Sequence, residues 1–179
     1  MQYRNKRASA RELFESSKRL SSLLIPQGVT FVVNDRADVA AAAEASGVHV
    51  GQEDLRAEAA RLVIGAGKLL GVSTHNLEQF RDASTTSADY VAVGPVYSTS
   101  TKANPDRVVG IELIRQARAL TEKPIVAIGG ITLERAAEVI EAGADSVAVI
   151  SDILLAPEPG RRARQYIELL DAANHAAAV

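Results

Sequence analysis

Short apolar runs alternate with longer segments of helical periodicity along the whole 179-residue chain. The runs are Val29-Thr30-Phe31-Val32-Val33, Gly47-Val48-His49-Val50, Leu69-Leu70-Gly71-Val72, Tyr90-Val91-Ala92-Val93, Pro124-Ile125-Val126-Ala127-Ile128 and Ser146-Val147-Ala148-Val149-Ile150, with Met1-Gln2-Tyr3-Arg4 as a seventh. They are short, rich in β-branched residues and apolar through both parities, the pattern of parallel strands covered on both faces. Between them, Ala8–Leu24, Val39–Ala45, Leu55–Ile64, Leu77–Ala83, Ile111–Leu120, Leu133–Ala142 and Arg161–Ala173 carry the helical repeat. Ser9 stands three residues before Glu12 as a capping box, and Gly47, Gly65 and Gly143 stand where a helix end wants a left-handed residue. Strand alternating with helix throughout predicts an α/β fold with a parallel sheet.

An open doubly wound sheet and a closed barrel both satisfy that rhythm. No G-x-G-x-x-G follows a strand, and Gly65-Ala66-Gly67-Lys68 is no phosphate loop because Leu69 stands where Ser or Thr is required. Polar residues or glycines follow nearly every strand: Arg4 and Lys6, Asn34 and Asp35, Gln52 and Asp54, Ser73, Thr99 to Lys102, Gly129-Gly130, and Ser151. An open sheet concentrates ligand groups at one switch point, whereas a barrel draws on every strand. The expected architecture is therefore a single (β/α)8 TIM-barrel domain over residues 1–179. Only seven strands are found, at about 24 residues per unit, so the first β/α unit is expected to be missing, with the chain truncated or started late at Met1.

Twenty Lys and Arg against 22 Asp and Glu leave a net charge of −2, which supplies no global field for nucleic acid or anionic lipid. No run approaches the roughly 18 apolar residues of a membrane span. The N-terminus turns charged at once, unlike a secretory signal. With no cysteine, disulfides, thiolate metal sites and cysteine nucleophiles are excluded. The expectation is a cytoplasmic protein acting on small molecules, with a homo-oligomer left open.

Several groups carry chemistry. Gln2, Arg4 and Lys6 fall at period-two spacing and would share one face of a strand, a donor set suited to a polyphosphate; a solvated terminus is the plainer alternative. Asn34-Asp35 and Asp54 follow adjacent strands. Two carboxylates at one end of a sheet can share Mg2+, while Asp35 and Asp54 are equally placed to cap the helices they precede. Residues 94–110 hold hydroxyls and Lys102 without any regular period, as in a binding loop or an idle surface loop. Gly129-Gly130 and Ser151 follow the last two strands, where barrels hold phosphate groups. Of the three histidines, His75 is the best candidate, although a lone histidine is more often structural. His49, inside a strand pattern, and His175, in the tail, carry less.

In order along the chain, Gln2-Tyr3-Arg4-Asn5-Lys6, Val33-Asn34-Asp35-Arg36, Gly47 to Asp54, Gly71-Val72-Ser73-Thr74-His75, Ala88 to Tyr97, Thr99-Ser100-Thr101-Lys102, Ile128 to Thr132 and Ala142 to Ser151 resemble the thiamine phosphate synthase family. The resemblance implies a (β/α)8 barrel. It also implies a transferase that joins a hydroxymethylpyrimidine diphosphate to a hydroxyethylthiazole phosphate, releasing pyrophosphate. On that resemblance Gln2, Arg4 and Lys6 match the diphosphate-binding strand, with Asn34 on the diphosphate and Asp35 and Asp54 as Mg2+ carboxylates. Ser73 and Lys102 match groups near the pyrimidine and its leaving group. Thr99, Thr101, Gly130, Ile150 and Ser151 match the thiazole-phosphate pocket. The family pattern usually has Glu where Asn5 stands.

Two rival readings stand beside this one. A thiazole tautomerase-like barrel would bind thiazole phosphate without condensing it, but it has no diphosphate or Mg2+ for Arg4, Lys6, Asp35 and Asp54 to hold. A catalytically inactive phosphate-binding paralogue would bind without turnover.

Overall fold

A computed structural model describes residues 1–99, 101 and 106–177. The chain forms two compact units, Met1–Ser73 with Thr85–Tyr90, and Thr74–Ser84 with Val91–Val179. Seven strands occur among the described residues, as the apolar runs predict.

The first unit opens with β1 (Gln2–Tyr3), followed by α1 (Ala10–Leu24) and a 3-10 turn (Ile25–Gln27). β2 (Val32–Asn34), α2 (Ala37–Ala42), β3 (Gly47–Val50), α3 (Ala57–Ile64) and β4 (Leu69–Thr74) complete it. The expected capping box starts α1: Ser9 Oγ accepts from the Glu12 N–H at 3.3 Å, and the Glu12 carboxylate accepts from the Ser9 N–H at 2.8 Å. β1 to β4 pair in parallel, with Val33 opposite Val48 and His49 opposite Gly71. Phe31, Val33, Val48, Val50 and Leu70 are fully buried, each contributing about 1.5–3 kcal/mol of hydrophobic stabilisation.

The second unit holds α4 (Leu77–Ser84), β5 (Tyr90–Val93) apart from its first residue, Tyr90, α5 (Gly110–Arg118), β6 (Ile125–Ile128) and α6 (Leu133–Glu141). β7 (Ser146–Ala148), a short α7 (Ser151–Leu154) and α8 (Pro159–Ala177) follow. β5, β6 and β7 pair in parallel, Val91 opposite Ile125 and Ala127 opposite Val147. Tyr166 of α8 is buried and donates its hydroxyl to Asp152 of α7 at 2.8 Å.

The same device closes the entry ends of strands in both units. Asp89 accepts from the Leu70 N–H at 2.7 Å and from Arg61 in the last turn of α3 at 2.6 Å. Asp145 accepts from the Ile125 N–H at 2.7 Å and from Arg118, the last residue of α5, at 2.9 Å. Each arginine also donates to main-chain carbonyls, Arg61 to Ser87 at 2.9 Å and Arg118 to Lys123 at 3.0 Å. One carboxylate thus satisfies a main-chain N–H at or next to the start of a strand and fixes a helix end beside it.

Three local expectations change. Gly47 does not end a helix: α2 stops at Ala42, Glu44 takes the left-handed position (φ +55°), and Gly47 begins β3. Glycine is needed at 47 because a Cβ there would overlap the Leu69 main chain. β1 ends at Tyr3, so strand alternation does not orient Arg4 and Lys6. α7 is an extra turn of helix that the apolar pattern did not show.

Gly71 is the tightest of the glycine sites in the first unit, since a Cβ would overlap the Tyr90 ring and lie 2.5 Å from His49 Nδ1. Gly71→Ala is therefore expected to lose about 2–3 kcal/mol of stability in urea unfolding, the cost of overpacking a filled core.

Candidate active site

The first unit brings a lysine and two carboxylates together. The Asp35 N–H donates to the His49 carbonyl at 2.7 Å, which extends the β2–β3 ladder one residue past the strand. The chain then turns sharply through a left-handed Asp35 (φ +65°). That conformation costs an ordinary L residue about 1–2 kcal/mol, and Asp tolerates it better than most. Lys6 Nζ lies 2.8 Å from Asp35 Oδ2. Asp54 accepts from the Gly51 N–H at 2.8 Å, which folds the loop after β3 back on itself.

Neither carboxylate caps a helix. α2 and α3 begin after Arg36 and Arg56, and neither N-terminus has a side-chain cap. The capping alternative is removed for both residues. Burial pushes the Asp54 carboxyl above its ordinary range; the Gly51 N–H pulls it back, and hydrogen-bonding and Coulomb contact with Asp35 push it up again. Two carboxylates within hydrogen-bond reach repel when both are ionised, and a cation between them relieves that repulsion. The pair therefore fits a hard divalent ion that takes its remaining ligands from water and substrate phosphate. Among the described residues no group of three or more His, Asp or Glu is arranged to hold a metal by itself.

The other residues expected in this unit take simpler places. Gln2 and Arg4 are exposed, and Asn34 ends β2 beside Asp35. Ser73 lies in β4, where Gln52 donates its side-chain amide to the Ser73 carbonyl at 2.7 Å. The residue that sequence reasoning undervalued is His49. Its Nε2 is 2.7 Å from Ser73 Oγ and its Nδ1 3.0 Å from Tyr90 Oη. The two rings stack at 5.6 Å, and His49 is buried. The missing side chain of Gly71, opposite His49 in the ladder, makes the room in which Tyr90 reaches the imidazole. A glycine opposite a strand histidine was the available signal.

In the second unit the Gly129-Gly130 turn (φ +97° and +64°) follows β6. A Cβ on Gly129 would lie 2.5 Å from Pro95 Cβ, and one on Gly130 would overlap the Tyr97–Ser98 main chain, so both positions require glycine. Val96 and Tyr97 donate their N–H groups to Ile128 and Gly129 at 2.9 and 3.0 Å, tying the loop after β5 to this turn. Arg135 donates to the Gly130 carbonyl at 3.1 Å and lies 4.7 Å over the Tyr97 ring, whose hydroxyl donates to Glu138 at 3.0 Å. Thr99 and Thr101 meet through their hydroxyls at 3.3 Å. Ile150 caps α7 and Ser151 begins it. Lys102 lies outside the described residues. His75 donates from Nδ1 to the Gly94 carbonyl at 2.5 Å, and its Nε2 lies 3.5 Å from Asp106.

Parallel β/α units with acidic, hydroxyl and glycine groups following the strands define an enzyme of the TIM-like α/β class. A family model for thiamine monophosphate synthase matches residues 1–153. The chain is 52% identical over 170 residues to a thiamine-phosphate synthase of Koribacter versatilis, covering 95% of this chain and 79% of that relative. It is 45% identical over 170 residues to one of Chloroflexus aurantiacus, covering 95% and 78%. A solved thiamine phosphate pyrophosphorylase from Pyrococcus furiosus superposes with a TM-score of 0.86 at 35% identity, covering 96% of this chain and 82% of that one. A 3-hexulose-6-phosphate synthase at 16% identity and TM-score 0.65 shares the fold alone. The chain belongs to the thiamine monophosphate synthase family. No helix among the described residues is long and apolar enough to cross a membrane.

Two outcomes follow. Asp54→Asn keeps the acceptor for the Gly51 N–H and removes the like-charge contact, so in metal-free buffer at pH 7 its Tm is expected to rise by about 1–2 °C. Because Asp54 is raised, that gain shrinks as pH falls and wild-type Asp54 takes up its proton. Tyr90 is pushed up to about 12, by burial first and then by Asp89. The neutral phenol thus adds stability that is complete below pH 10 and drains away between pH 10 and 12. Over that window the wild type is expected to lose up to about 2 kcal/mol more than Tyr90→Phe in urea unfolding.

Proposed function

We propose that this chain is a thiamine phosphate synthase that condenses a hydroxymethylpyrimidine diphosphate with a hydroxyethylthiazole phosphate, in the cytoplasm, to give thiamine phosphate and pyrophosphate. The observation that carries the reading is the meeting of Asp35, Asp54 and Lys6, two carboxylates freed from helix capping beneath a cation. An anion-only binding protein has no use for that acidic pair.

The substituted carbon is a methylene on an electron-rich aminopyrimidine. Its C–O bond breaks first, both electrons leave with the diphosphate, and the ring stabilises the resulting cation. The thiazole nitrogen then forms the C–N bond with its own lone pair, so no general base is required. What the protein must supply is neutralisation of the departing charge and a held nucleophile. In the first unit, Gln2, Arg4, Lys6 and Asn34 bind the diphosphate, and Ser73 donates a hydrogen bond beside the leaving group. Asp35 and Asp54 would hold Mg2+, which when bound adds fixed positive charge next to the diphosphate oxygens. In the second unit, Thr99, Thr101, Gly130, Ile150 and Ser151 hold the thiazole phosphate. Rigid Gly129-Gly130 main chain supports this role, because an N–H donor in a locked turn needs no reorganisation when the anion binds. Lys102 is assigned to the leaving group on family resemblance.

The test is pyrophosphate release on mixing both substrates with Mg2+. The wild-type chain is expected to turn over, and Asp54→Asn to lose about 10²–10³-fold in kcat/KM, the usual scale for removing one charge-stabilising group. The same variant is expected to retain thiazole phosphate binding by calorimetry. Tautomerisation of the thiazole without pyrophosphate release, or tight binding without any turnover, would reverse the assignment.

A further inference from the structure

The chain Tyr90–His49–Ser73 has a direction, and the direction determines what Ser73 can do. A neutral imidazole carries one N–H, and both nitrogens of His49 face a hydroxyl. In one arrangement Tyr90 Oη–H donates to Nδ1, Nε2–H donates to Ser73 Oγ, and the serine proton points elsewhere. In the other, Ser73 spends its proton on Nε2, Nδ1–H donates to Tyr90 Oη, and the phenolic proton has no acceptor. Among the described residues the only hydrogen-bond partner of Tyr90 Oη is His49 Nδ1. Each arrangement leaves one hydroxyl proton of a half-buried residue without an acceptor among the described residues, and orphaning the phenol, the more acidic donor, is the costlier outcome. A phenol is also the stronger donor and an aliphatic hydroxyl the better acceptor, and both preferences favour the first arrangement. The upward push on Tyr90, to about 12, keeps its proton in place for that role. Three aligned donors polarise one another, so the last, Ser73 Oγ–H, is a stronger donor than an isolated serine.

We infer that His49 and Tyr90 are positioning residues that hold the Ser73 hydroxyl as a one-way hydrogen-bond donor, its proton reserved for an oxygen of the departing diphosphate. The inference rests on the proposed condensation for the identity of that oxygen, but the relay itself is a property of the resting protein. Gly71 is part of the arrangement, since only the absence of its Cβ lets the Tyr90 ring sit against His49. Gln52 holds the Ser73 carbonyl at 2.7 Å, so the serine main chain is fixed from the other side. The effect expected from losing the relay is on kcat, because the charge on the leaving oxygen develops in the transition state.

The experiment has two arms. In the first, two-bond 1H–15N correlations on the full wild-type chain read the His49 tautomer without substrate. The proton is expected on Nε2, and Tyr90→Phe is expected to shift the ring towards a mixture or towards Nδ1–H. In the second, His49→Leu is expected to lower kcat for pyrophosphate release about 10–100-fold and Tyr90→Phe about 3–10-fold, with KM for the thiazole phosphate within about twofold. His49→Gln, whose amide nitrogen can stand in for Nε2, is expected to recover most of the loss. Ser73→Ala/His49→Leu is expected to be no slower than Ser73→Ala alone, the mark of two residues acting through one group. A wild-type proton on Nδ1, or losses that multiply in the double variant, would overturn the relay. A wild-type chain with the Nε2 tautomer that releases no pyrophosphate would instead overturn the condensation and leave the relay standing. Should His49→Leu fail to fold, the wild-type tautomer and the Tyr90→Phe and His49→Gln rates decide the matter.

Discussion

Two carboxylates held within hydrogen-bond reach are the costly feature of this protein, and much of the surrounding structure exists to keep them there. Left to themselves, Asp35 and Asp54 would separate into solvent. The Asp35 N–H bonded to the His49 carbonyl prevents it at one side, and the Asp54 carboxylate bonded to the Gly51 N–H prevents it at the other. Asp35 accepts a left-handed backbone in the process. Lys6 compensates part of the charge. Stability is spent locally to hold concentrated charge in place, the preorganisation that the proposed Mg2+ and diphosphate site calls for.

The opposite ends of the strands are treated differently. Where β4 and β6 begin, Asp89 with Arg61 and Asp145 with Arg118 close the main chain with charge-assisted bonds, one carboxylate oxygen accepting from both the arginine and a main-chain N–H. Where strands end, the side chains are Asn34, Asp35, Ser73 and the Gly129-Gly130 turn. Stabilising contacts at the entering ends, with the proposed site residues at the leaving ends, is the division of labour that β/α enzymes share. Small residues set it up: Gly71 admits the Tyr90 ring beside His49, and Gly129 and Gly130 let Pro95 and Tyr97 pack against their turn.

How much of this was legible without coordinates depends on the range of the interaction. β3 and β5 run over the residues their apolar patterns predict, Gly47–Val50 and Tyr90–Val93, because a buried parallel strand must be apolar on both faces. The Ser9 and Glu12 capping box was equally legible, being a contact across three residues. Gly47 misled for a specific reason: a glycine after a helical pattern reads as a cap, and only the Leu69 main chain, 22 positions on, shows that it is needed for strand packing. His49 was passed over because a strand histidine looks like core filler until Ser73 and Tyr90, 24 and 41 residues away, are seen to flank it.

The amino-acid sequence by itself determined the order of strands and helices, the class of fold, and the residue types that can bind phosphate and a divalent ion. Those properties follow from periodicity and from side-chain chemistry, which are local. Only the tertiary structure decided that Asp35 and Asp54 serve each other rather than their helices, and that His49 and Tyr90 stand behind Ser73. Whether a carboxylate caps or pairs, and which tautomer an imidazole adopts, depends on what lies within about 3 Å of it, and chain connectivity does not encode that distance.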